Sequence, residues 1–188
     1  MKLTVIENNE NALRFTLDGT NFSFANALRR QMINNVGCLA IDRVTFYENS
    51  SAMFDEYIAH RVGLVPIKTP HDYGEKDEVV FSLSAQGPGI VYSKELASTS
   101  KGVHVANDKI PIIKLADGQT LKIDGKAIFS TAAKSSKFQP ALVTYKTLDD
   151  NKFEFYVETF GQMPPLEILK KALNIISTSL KEVTKEIK

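Results

Sequence analysis

The chain closes on a stretch that can satisfy its apolar residues in one conformation, PPLEILKKALNIISTSLKEVTKEIK. Leu166, Leu169, Leu173, Ile176, Leu180, Val183 and Ile187 recur at alternating spacings of three and four. That is a heptad seam along one face of a helix, and Pro165 suits its first turn. A second apolar edge, Ile168, Ala172 and Ile175, widens the stripe to more than one packing surface. A helix that stays amphipathic to its end needs a long internal platform or a partner. The rest of the chain has to supply one or imply the other.

The opposite end supplies regular elements. Leu3 and Val5 alternate, then Leu13, Phe15 and Leu17, with the turn-forming ENNEN between them, so a hairpin is expected. A helix over 23–36 follows, with Ala25, Leu28, Met32 and Val36 at helical spacing and Ile33 beside them. Asn21 or Ser23 can cap its start, and Gly37 is expected to end it in the left-handed conformation. Residues 42–150 have another texture: short strands in RVTFYEN, EVVFSLS, GIVYS, IPIIKL and QTLKIDGKAIF, punctuated by QGPG and ADGQ. One helical piece, MFDEYIAHRV, breaks the series at Gly63, and Pro66 blocks its continuation. Near the end, KFEFYVETF sets Phe153, Phe155 and Val157 against Glu154, Tyr156 and Glu158, a strand with one apolar face. By texture the two ends, residues 1–41 and 151–188, look like one α/β unit, with 42–150 as a β-rich insertion.

Little here points to catalysis. A hydrophobic share of 43% and a charged share of 24% are those of a soluble globular protein. A net charge of +1 argues against tight DNA binding by this chain alone. One cysteine, Cys38, excludes an internal disulfide and a multi-cysteine metal centre; it follows a glycine with no evident activating base, so a packed thiol is expected. Neither a secretory leader nor an apolar run of membrane-spanning length is read, so a cytoplasmic protein is expected. His60, His71 and His104 lack helical ligand spacing and read as surface residues, with a ligand trio assembled by folding as the alternative. GPGIVYS lacks the later glycine or lysine of a phosphate loop, and Asp149 and Asp150 sit in a turn.

The arginine pair in NALRRQMI invites a sharper question. At about 100° per residue, Arg29 falls at the border of the apolar arc and Arg30 points away from Leu28. A charge on an apolar arc must find partners. Three readings stand: a snorkelling stem with a solvated head, an internal pair with Asp42 or Glu56, and a docking face for another protein.

Taken in order, NALRRQMI, AIDRVTFYENSS, DEYIAHRVGLVPI, GPGIVYSKEL, KIPIIKLADGQTLKIDGKA and FYVETFGQMPPLEILKKAL resemble the α-type assembly subunits of multi-subunit RNA polymerases. The likeness is closest to the archaeal D-type form and its eukaryotic counterparts, and it runs from about Leu13 to Leu180. It implies an α+β fold: a dimerisation domain of helices packed on a small antiparallel sheet, built from both chain ends, with a β-rich insert domain between. It implies a non-catalytic scaffold that pairs with small subunit L. That pair holds the large catalytic subunits of DNA-directed RNA polymerase, with small subunits N and P joining. Leu28, Met32, Leu169, Leu173, Ile176 and Leu180 then become candidates for the small-partner interface, with inward packing left open for Leu28 and Met32. Arg29 and Arg30 become candidates for docking the large subunits. The iron–sulfur insertion of many relatives is replaced here by KTLDDNK between Tyr145 and Phe153, so no cluster, zinc or other cofactor is expected. In SSKFQP, Phe138 stands where relatives carry tryptophan. The alternatives are a stand-alone β-rich ligand-binding protein with the histidines as its site, and a nucleic-acid-binding homodimer using the arginines and the lysines of 126–137.

Overall fold

Both chain ends enter one antiparallel sheet. The computed structural model describes residues 1–187. Its elements are β1 (Lys2–Asn8), β2 (Ala12–Asp18), α1 (Phe22–Asn34), β3 (Cys38–Asn49), α2 (Asp55–Gly63), β4 (Glu78–Gln86) and β5 (Gly89–Tyr92). They continue with β6 (Ala97–Ser98), β7 (Pro111–Leu115), β8 (Thr120–Ser130), β9 (Ala141–Asp149), β10 (Lys152–Thr159) and α3 (Pro165–Glu186).

The chain divides into two compact units, Met1–Gly37 with Thr131–Lys188, and Cys38–Ser130. The first is a four-stranded sheet in the order β1-β2-β10-β9. Its opening turn is held by the Asn9 side chain, which accepts hydrogen bonds from the backbone N–H groups of Asn11 and Ala12 at 2.9 and 2.7 Å. Helix α1 packs on β9, helix α3 packs on β2 and β10, and the two helices pack on each other. Period-two alternation sends Leu13, Phe15, Leu17, Phe153, Phe155 and Val157 into this core. There they meet Ala25, Leu28 and Met32 of α1 and Ile168, Leu169 and Ala172 of α3.

The start of α1 is capped by Asn21 rather than Ser23: its side chain accepts from the Phe24 N–H at 2.9 Å. Its end departs from expectation. Gly37 is not left-handed; the glycines with positive φ are Gly19, Gly102, Gly118 and Gly161. The helix instead closes on right-handed Asn35, whose N–H donates to the Gln31 carbonyl, and the chain runs straight into β3 at Cys38.

The second unit holds a sheet in the order β3-β8-β4-β6 and a two-stranded sheet, β5-β7. Its core includes Leu39, Ile41, Ile58, Val62, Phe81 and Ile123. The expected insert, 42–150, is too long at its far end and starts slightly late. Strand β9 hydrogen-bonds to β10 from Asp149 back to Ala141, so it belongs with the chain ends. Strand β3 begins pairing with β8 at Cys38 opposite Ser130, which sets the boundary there.

The sheet's solvent-facing side carries a charge cluster. Arg14 donates to a Glu154 oxygen at 2.6 Å, and Lys146 Nζ lies 3.2 Å from the other. The Arg14 hydrogen bond, then the one from Lys146, hold the Glu154 carboxyl below the usual glutamate range. A depressed folded value means that the stabilisation is present above the ordinary range and is lost as pH falls through the folded value. Glu154→Gln is therefore expected to lower stability at neutral pH, with the gap to the parent closing under acid. Urea titrations across the pH range check this; a gap that stays constant would show that the ion pairs contribute nothing.

Candidate functional site

Helix α3 is longer than the sheet that supports it. It has 22 residues, roughly 33 Å at a rise of about 1.5 Å each. Pro165, Ile168, Leu169 and Ala172 are buried, and Leu173, Ile175 and Ile176 are half-buried. From Ser177 to Ile187 every residue is exposed. Leu180, Val183 and Ile187 are 62%, 55% and 80% exposed. At about 100° per residue, Val183 and Ile187 fall on the same angular face as Ile168, Leu169 and Ala172. The core stripe thus continues after the chain has stopped covering it.

Strand β1 is unfinished in the same sense. Leu3 and Val5 stand opposite Leu17 and Phe15, on the sheet face that elsewhere forms the core. Both remain exposed, because α1 and α3 cover β9, β10 and β2. The first unit therefore ends in two uncovered extensions of its own core, the tail of α3 and the inner face of β1. Exposed apolar surface of this kind marks an interaction site.

Among the six interface candidates, Leu28, Met32 and Leu169 lie in the chain's own core, at 0%, 0% and 2% exposure. They cannot present a surface to a partner: Leu28 and Met32 take the inward one of their two readings, and Leu169 is corrected from interface to core. Leu173 and Ile176 are half-buried, and Leu180 is exposed. The stripe on α3 has two edges, and spacing does not tell which one meets the sheet; Ile168 and Ala172 do. Leu3 and Val5 were missed as surface candidates, because their alternation signals a strand and not what covers it.

Arg29 is half-buried, and its guanidinium donates twice to the Asn26 side-chain oxygen, at 3.3 and 3.2 Å. Arg30 is exposed. Within the first unit, neither forms an ion pair with another described residue. His60, His71 and His104 are all exposed, and no group of three or more potential metal ligands gathers among the described residues. Cys38 is buried. No described helix is long and apolar enough to cross a membrane.

The RNA polymerase Rpb3/Rpb11 dimerisation domain matches residues 14–180. The chain belongs to this family. The chain is similar to the DNA-directed RNA polymerase subunit Rpo3 of Pyrococcus furiosus, 38% identical over 194 residues, covering 100% of this chain and 72% of the relative. It is 42% identical over 165 residues to Rpo3 of Methanocaldococcus jannaschii, covering 88% and 85%. To Rpo3 of Methanobrevibacter smithii it is 33% identical over 166 residues, covering 81% and 61%. As an Rpb3/Rpb11-type protein it has the α+β architecture that the resemblance implied.

Proposed function

We propose that this chain is the Rpo3-type assembly subunit of a DNA-directed RNA polymerase, a scaffold within a nucleotidyltransferase complex rather than its catalytic part. It pairs with a smaller subunit of its own family, the archaeal subunit L, through the α3 tail and the adjoining apolar surface. The pair then holds the two large subunits, with subunits N and P joining. The observation that carries this reading is the α3 stripe, which runs on past its sheet with Leu180, Val183 and Ile187 uncovered. Such residues contribute roughly 1.5–3 kcal/mol each when buried, so a few of them support a permanent interface. On this reading the subunit needs neither iron–sulfur nor zinc and makes no tight DNA contact of its own. Co-expression with an archaeal L subunit, followed by measurement of complex mass, tests it. A one-to-one complex is expected; a particle of twice 20.9 kDa would instead mean self-pairing.

Arg29 and Arg30 are proposed to face the large subunits. Arg30 supports this most directly, being an exposed guanidinium without an ion-pair partner among the described residues, and its fork suits carboxylates and carbonyls across an interface. Arg30→Ala is expected to leave the melting temperature of the heterodimer unchanged and to weaken capture of the large subunits about tenfold or more. Undiminished capture in a pull-down would refute the docking role.

A further inference from the structure

The second unit contains a groove that the pairing surface does not explain. It has a volume of about 830 Å³ and runs between α2 and β7. Ile113 and Leu115 are buried along it, while Phe54 and Tyr57 stand 71% and 65% exposed beside it. The two rings lie 6.4 Å apart. Two large aromatic side chains left this open at the mouth of an apolar groove are costly to leave in water.

Two further observations say what would fill it. First, β7 is hydrogen-bonded along one edge, to β5. Ile113, Lys114 and Leu115 run along the groove, while Gln119 closes both main-chain groups of Ala116; an extended segment thus has a short stretch of strand to lie against and side-chain pockets for selectivity. Second, the fixed charges lining the groove are Arg61 and Lys114, and no carboxylate lines it. Arg61 donates to the backbone carbonyls of Ile112 at 2.8 Å and Pro111 at 2.5 Å, which ties α2 to β7. Neither Arg61 nor Lys114 is in an ion pair among the described residues. Asp55, Glu56 and Asp117 adjoin lining residues in sequence but do not line the groove.

We propose that this groove receives an extended segment of another subunit of the polymerase, with apolar side chains set beside Phe54 and Tyr57 and an acidic residue facing Lys114. A nucleic-acid strand fits less well. Its phosphates need several available cations, whereas the Arg61 fork is engaged on carbonyls and the remaining lining is largely apolar. The proposal rests on the assembly-subunit reading above.

The test uses polymerase assembled from recombinant subunits, with Phe54 replaced by the photocrosslinker p-benzoylphenylalanine. Irradiation and peptide mass spectrometry are expected to place the crosslink on one stretch of another subunit, with Asp or Glu beside apolar residues. In that background, Tyr57→Ala with Lys114→Glu is expected to cut crosslinking about tenfold with the melting temperature unchanged. Replacing the partner's carboxylate by lysine should restore crosslinking to the Lys114→Glu variant. If the chain enters the polymerase but Phe54 crosslinks to no protein, to nucleic acid, or to a second copy of this chain, the proposal fails while the assembly reading stands. A chain that enters no polymerase, read from complex mass, overturns both.

Discussion

With Leu180 and Val183 both replaced by aspartate, the chain is expected to fold and melt as the parent does, yet to lose its small partner. Both side chains are more than half exposed in the chain alone, so neither supports the core. In a complex they would be covered, and each aspartate would bring an unpaired carboxylate into an apolar seam. Losing two apolar burials at roughly 2 kcal/mol each, before the charge penalty, weakens pairing by about a thousandfold or more. Light scattering of the co-expressed pair, beside thermal unfolding of the single chain, separates the two effects. Leu173→Asp and Ile176→Asp should also abolish pairing, but both residues are half-buried, so those variants would disturb the fold as well. Stoichiometric co-purification of the Leu180→Asp, Val183→Asp chain would show that the α3 tail is not the interface.

The largest effect on stability is expected from Phe155→Ala. Its ring is stacked on Phe15 with centroids 4.9 Å apart and planes within 2°, and Tyr145 lies 5.3 Å away. Phe155 is fully buried at the centre of the first unit's sheet. Truncating such a phenylalanine costs about 3–5 kcal/mol through lost burial and the cavity left behind, against a total stability of about 5–15 kcal/mol for a typical domain. The variant should unfold at much lower urea, and Phe155→Leu should recover part of the loss. Tyr156→Ala is the control, since Tyr156 points to the other face and is exposed. If the two alanine variants unfold at the same urea concentration, the strand register is wrong.

Local periodicity was enough for the elements whose pattern is strong. Alternation in KFEFYVETF identified β10 and its inward residues, and the three-and-four spacing identified α3. The rotation of about 100° per residue put Arg30 outward and Arg29 at the border. The order of motifs carried the family. Tertiary structure decided the rest, because periodicity reports an angle around an element and not what lies at that angle. It cannot say that α3 outruns its sheet, so Leu169 is core while Leu180, on the same seam, is bare. The same limit left Leu28 and Met32 open between the core and a partner, and the fold places both in the core. Residues 141–149 read from sequence as part of the insert with no strand of their own, because the neighbours of β9 across the sheet come from β10 and, through it, from the start of the chain. The groove between α2 and β7 joins residues about fifty positions apart, and only the folded chain brings that helix and that strand edge together.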